Sequence, residues 1–303
     1  MKNTNWRTSV KNHVKKHQLQ HLAQYASQSE DLFALHIPEF FKQQIDFSNQ
    51  DDVLLKQVLP QHHELESSKG YKHDPVGDLA ARQNKGIIQK YHGRVLLITT
   101  GACAINCRYC FRREFPYAQN NASSNNWQQT IEYLAQDKSI HEVILSGGDP
   151  LMLSTKRLRN LTEQLQQIKH IKTLRIHTRM PLVAPKRINT NFLSWLHELA
   201  LKKIMVVHCN HANELVTEHT EIFKNLTATG TLLLNQSVLL KNINDNVASL
   251  CNLSHKLFDF GILPYYLHQL DKVNGSHHFR VKNKKAKQLH KKLQSELPGY
   301  LVP

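Results

Sequence analysis

The chain has 303 residues, 40% hydrophobic and 21% charged, which is a soluble globular composition and enough length for one barrel-sized domain or a barrel with an appendage. No apolar run approaches a membrane span, the polar start Met1-Lys2-Asn3-Thr4-Asn5-Trp6-Arg7 has no signal-peptide core, and five cysteines, three of them clustered, do not suggest a disulfide framework. Membrane-embedded and secreted classes are set aside and a cytoplasmic protein is expected, while a net charge of +15 leaves nucleic acid or an acidic protein to be weighed as partners.

Residues 1–85 lack strand signals and read as a helical N-terminal segment. Leu32-Phe33-Ala34-Leu35 and Phe40-Phe41 suggest apolar faces of short helices, with Pro38 starting the second. Asp51-Asp52 before Val53-Leu54-Leu55 marks another helix start, ended by Pro60, and Asp74-Pro75-Val76-Gly77-Asp78 is a turn before a further short helix. From Arg94 a rhythm sets in. Apolar runs at 95–98, 143–145, 174–176, 204–207, 232–234 and 262–266 alternate with amphipathic stretches, mostly about thirty residues apart. That is the βα repeat of a parallel sheet. Six units are too few to close an eight-stranded barrel, so the expected fold class is α/β, a partial (β/α)6 TIM-like open barrel over residues 86–290, with chemistry at the C-terminal strand ends. Polar residues gather at all six of those ends. Near the chain's close, Arg280–Lys287 and His290-Lys291-Lys292 read as the polar face of a helix; without interleaved aromatics for base stacking they favour a solvated basic surface over nucleic-acid binding.

The most informative strand end is the first, where Cys103, Cys107 and Cys110 stand at C-x3-C-x2-C spacing. Thiolates suit zinc or iron–sulfur clusters. A structural zinc site needs a fourth protein ligand, and Cys209 and Cys251 stand alone without a second paired-cysteine knuckle. Three clustered thiols fit better a four-iron cluster with one iron left open. Elsewhere, Gly147-Gly148 permits close backbone approach and offers amides to a polar group. His208 and His211 have metal-ligand spacing but read more simply as hydrogen-bonding residues. Arg112 would be costly to bury without an anion, and its guanidinium fork suits a carboxylate.

The cysteine loop with Tyr109 before its last cysteine resembles the signature of the radical S-adenosylmethionine (SAM) enzymes. Continued through Arg112, Arg113 and Pro116-Tyr117, it resembles the lysine 2,3-aminomutase family, and within it the branch that makes (R)-β-lysine for modification of elongation factor P. The resemblance runs from about Asp74 to the last residue. It implies a 4Fe–4S cluster on Cys103, Cys107 and Cys110, SAM contacts from Tyr109, Gly147, Gly148, Asp149, His208 and His211, and pyridoxal phosphate (PLP) held by Tyr91, Arg94 and Gln236. It also implies Arg112 on the substrate α-carboxylate and Asp271 on the ε-ammonium of L-lysine, in a reaction that turns (S)-α-lysine into (R)-β-lysine by SAM cleavage and amino-group migration.

The match departs from the family at two places. Lys90 stands where another arginine is common. Residues 291–303, read as a shortened C-terminal tail, stop before the family's lysine that forms the Schiff base with PLP; Lys282, Lys284 and Lys285 do not match its motif. Two other readings stay open: a radical SAM enzyme with a different substrate and no PLP, and a catalytically silent basic docking protein for elongation factor P or RNA. The sequence also leaves room for a homo-oligomer.

Overall fold

The computed structural model describes residues 6–123 and 127–303; the first five residues of the polar N-terminus lie outside that range. Eight strands form one sheet in the linear order β1 to β8: β1 Arg82–Asn84, β2 Ile87–Tyr91, β3 Arg94–Thr100, β4 Glu142–Gly147, β5 Thr173–Thr178, β6 Lys202–His208, β7 Thr231–Leu239 and β8 Leu263–Gln269. From β3 to β8 every pair is parallel. The ends are not paired to each other, so the sheet is an open barrel with β1 and β8 as its edges. This is the expected architecture, with six parallel strands at the six apolar runs.

Helices follow the parallel strands because the intervening segments carry one apolar stripe each. α3 is Gln128–Gln136, α4 Thr155–Gln166, α6 Thr190–Glu198, α7 Thr220–Ala228, α8 Val247–Asp259 and α9 Asn283–Glu296, with the short α5 Met180–Val183 after β5. In α4, Leu158, Leu161 and Leu165 are buried at i, i+3 and i+7, each stabilising the packed state by about 1.5–3 kcal/mol relative to exposure. Ser154, Asn189 and Asn246 cap α4, α6 and α8 through their side-chain oxygens. β4 is buried at every residue, as expected of a strand covered on both faces. α9 turns Leu289 and Leu293 inward and leaves Lys284, Lys285, Lys287, Lys291 and Lys292 exposed. Among the described residues no helix is long and apolar enough to cross a membrane.

The N-terminal segment contributes α1 Ser27–Leu32, α2 Glu39–Lys42 and several 3-10 turns. Ile37, Phe41, Leu54 and Leu55 join the same core as Leu97 and Ile176. Pro38 does precede α2, and Asp52 Oδ1 accepts from the Leu54 and Leu55 amides to start the turn Leu55–Gln57. Three expectations give way. Phe33–Leu35 is not helical: α1 stops at Leu32, which is exposed, and Phe33 is extended. The Asp74–Asp78 turn leads into β1 rather than a helix, with the Asp74 carboxylate accepting from the Asp78 and Leu79 amides. Finally, Arg82–Asn84 is a strand although all three residues are exposed and polar; it pairs antiparallel with β2, which pairs antiparallel with β3 through a tight turn at Gly93, φ +78°.

Candidate active site

The C-terminal strand ends surround a cavity of about 780 Å³, within the range of small-molecule sites. Cys103, Cys107 and Cys110 line one part of it as free thiols. Their loop is held by the N-terminal segment. The Arg108 amide donates to Gln57 O and the Asn106 amide to His36 O, at 2.9 and 3.0 Å. The fully buried Arg108 guanidinium grips Glu64 with Nε–Oε1 at 2.9 Å and Nη2–Oε2 at 2.6 Å, and Arg113 Nη2 reaches the same carboxylate at 2.7 Å. Burial pushes the Cys110 thiol up to about 11 and Cys103 well above its ordinary value. Such thiols stay protonated until a cation displaces the proton. Among the described residues no three His, Cys, Asp or Glu side chains could hold a single metal ion. The three thiols stand on one wall of this cavity.

Tyr109 is the hub beside them. Its hydroxyl accepts from Arg179 Nη1 at 2.8 Å and Asn210 Nδ2 at 2.6 Å, and donates to Gln57 Oε1 at 3.4 Å. Arg179 also donates to Cys107 Sγ and to Glu214 Oε2, both at 2.7 Å. Glu214 in turn accepts from the Asn210 amide at 2.8 Å, which fixes the turn after β6.

The glycine pair after β4 is required by chain packing. A Cβ on Gly147, at φ +124°, would lie 2.5 Å from Thr100 O, and one on Gly148 would lie 2.4 Å from Ala102 O. The Gly148 and Asp149 amides are already committed to those two carbonyls, at 2.7 and 2.8 Å. The expectation that this stretch offers free amides is thus corrected: its glycines let β4 and the cysteine loop touch. Asp149 is buried and accepts from Thr178 Oγ1 and the Leu151 and Arg179 amides; burial nevertheless raises its carboxyl above the usual range.

Across the cavity the polar wall is different. Arg112 has its anion: Nε lies 2.7 Å from Asp78 Oδ2, while Nη1 donates to Ser146 Oγ at 2.9 Å. Lys90 Nζ pairs with the other Asp78 oxygen at 2.5 Å. Asp271 faces the same space, half-buried, with its carboxyl raised by burial. Tyr91 is 62% exposed and its ring is covered by the Arg94 guanidinium at 4.4 Å, which leaves area for a planar ligand to stack. Gln236 Nε2 lies 2.8 Å from His208 Nε2, and burial drops the His208 pKa to about 3 and keeps the ring neutral. His177 meets His208 edge to face, with its buried Nε2 unpartnered.

All the expected site residues line this cavity except His211. That ring turns away, its Nδ1 accepting from the Asn213 amide as the cap of a 3-10 turn, and the neighbouring Asn210 is the residue that reaches Tyr109. Arg179, His177, Gln57 and Asp78 join the site without an individual role read from the sequence, while Glu214 ends the stretch 208–214 whose resemblance implies a pocket-lining segment. For Arg179 and His177 a signal existed, their place at the end of a parallel strand. Asp78 and Gln57 gave none.

Comparison with known proteins agrees with this geometry. The family model of the Radical SAM superfamily matches residues 97–220, from β3 into α7. The "L-lysine 2,3-aminomutase" of Escherichia coli (strain K12) is 46% identical over 272 residues, covering 90% of this chain and 79% of that protein. The protein of the same name from Haemophilus influenzae is 45% identical over 90% of this chain and 80% of its own. A third, from Buchnera aphidicola, is 44% identical over 91% and 81%. The radical SAM fold implies a 4Fe–4S cluster and SAM, and three free thiols opening on one cavity fit that cluster. The chain belongs to the L-lysine 2,3-aminomutase family of radical SAM isomerases.

Proposed function

We propose that this protein converts L-lysine to β-lysine, (S)-α to (R)-β, using the cluster, SAM and PLP, and that the product serves the modification of elongation factor P. The observation that carries the substrate is the pairing of opposite charges in one cavity: a carboxylate, Asp271, and a guanidinium, Arg112, share it with the three thiols. A zwitterionic amino acid with a second, distal ammonium group needs just such a wall.

When bound, the cluster supplies the electron that cleaves SAM, and PLP supplies an aldehyde for the migrating amino group. The chain's residues do the rest. Cys103, Cys107 and Cys110 ligate the cluster. Tyr109, the Gly147–Asp149 turn and His208 shape the SAM side, with His208 a neutral ring. Tyr91 stacks the pyridine face, while Arg94 and Gln236 provide donors for its phosphate. Arg112 takes the substrate carboxylate, oriented by Asp78 and Ser146, and Asp271 takes the ε-ammonium. Fixing both ends of the lysine is an entropic contribution to the rate.

The test is anaerobic reconstitution with iron and sulfide, followed by incubation with SAM and L-lysine, with and without PLP. The expected result is PLP-dependent β-lysine, of R configuration on chiral derivatisation. Release of 5′-deoxyadenosine without β-lysine would move the substrate assignment to another molecule and remove the PLP sites. Failure to cleave SAM in cluster-loaded protein would leave the docking reading, with elongation factor P or RNA as ligand.

A further inference from the structure

Arg179 is a buried cation of the cavity to which the roles above give no part. It follows β5 directly and is only 4% exposed. One nitrogen, Nη1, donates to Cys107 Sγ at 2.7 Å; the other, Nη2, donates to Gln57 Oε1 at 2.8 Å and to Glu214 Oε2 at 2.7 Å. Glu214 is fully buried. A cation and an anion are therefore in series behind one cluster ligand, the cation touching sulfur and the anion touching the cation.

Hydrogen bonds to cluster sulfur, and charges near it, set iron–sulfur potentials. Reduction adds a negative charge to the cluster. A guanidinium donating to a ligating sulfur stabilises that added charge and raises the potential, the more so in a buried setting of low dielectric. The carboxylate behind it acts in the opposite sense and offsets part of the effect. We propose that Arg179 is a positioning residue that sets the reduction potential of the cluster through Cys107, with Glu214 as its counterweight. This rests on the cluster reading of the three thiols.

The two charges give the proposal a signature of opposite signs. The reconstituted protein is titrated with dithionite at controlled potentials, without SAM or lysine, and the reduced cluster is followed by electron paramagnetic resonance. Arg179→Gln is expected to move the midpoint to more negative potential, and Glu214→Gln to more positive potential. Arg179→Lys, which keeps the charge, should fall between wild type and Arg179→Gln. A residue that only ties β5 to the loops around it would change melting temperature or iron content but not split the midpoints by sign. Midpoints that stay together, or move in the same direction, overturn the proposal. Should Arg179→Gln fail to fold, the sign of the Glu214→Gln shift decides. If the wild type itself takes up no four-iron cluster, the cluster reading falls and this proposal with it; a normal wild-type signal with unmoved midpoints sinks the proposal alone.

Discussion

Asp78 carries two cations, Arg112 on one oxygen and Lys90 on the other, in a site where its own side chain is 3% exposed. Burial alone would raise its carboxyl; Arg112 and Lys90 outweigh burial and hold it below the ordinary value of 3.8. A depressed carboxylate contributes stability that is present above its unfolded value and is lost as pH falls through the folded one. Removing this partner strands a buried guanidinium, so Asp78→Asn is expected to cost about 3 kcal/mol at neutral pH. The same variant should lose less stability than wild type between pH ~5 and ~3, because the titrating group is gone. Urea unfolding across that range checks both; equal acid slopes in the two proteins would count against the pairing. The need of Arg112 for an anion was legible from the chemistry of guanidinium alone. The identity of the anion was not, because Asp78 lies 34 residues upstream in a turn whose local signal says nothing of its distant partner. Arg179 is similar: its contacts reach back 72 residues to Cys107 and 122 to Gln57, distances over which only the fold selects partners.

At the scale of elements, the six parallel strands were readable because each carries a short apolar run, from β4, buried at every residue, to β7, where buried residues alternate with more exposed ones. β1 and β2 escaped for the opposite reason. The three residues of β1 are exposed and polar, and β2 fades from two buried isoleucines to an exposed Lys90-Tyr91 end, so neither shows a sustained period. The cysteine loop was legible by local spacing, whereas its support was not. That support is the N-terminal segment, whose Glu64 binds Arg108 and Arg113 at once inside the protein. Glu64→Gln removes the charge from this clamp while keeping its size. The expected cost is about 3–5 kcal/mol, the range for breaking a buried ion pair from one side. Because the clamp holds Arg108 of the cysteine loop, iron bound per chain after reconstitution should fall with the melting temperature. Calorimetry and iron analysis together measure this; full iron loading in a destabilised Glu64→Gln protein would separate the clamp from the cluster site.

For the whole molecule, the charge of +15 is the most visible property and the least tied to the cavity. The lysines of α9 point outward while its leucines pack beneath, an arrangement that solvation alone explains. Weak association with single-stranded RNA is therefore expected, falling steeply as salt is raised, since phosphate contacts of this kind release counterions. Fluorescence anisotropy with a labelled oligonucleotide at low and physiological salt reports it; tight binding that survives physiological salt would point to a dedicated surface. The site itself draws on the whole length of the chain, and that has a consequence in time. A ribosome delivers Gln57 and Glu64 before Cys103, and Arg179, Asn210 and Glu214 only after Cys110. Until residue 214 has emerged, the three thiols sit in half of their cradle. Stalled chains ending before residue 214 should accordingly be alkylated at Cys103, Cys107 and Cys110 faster than the finished protein, as mass spectrometry of ribosome-bound chains would register.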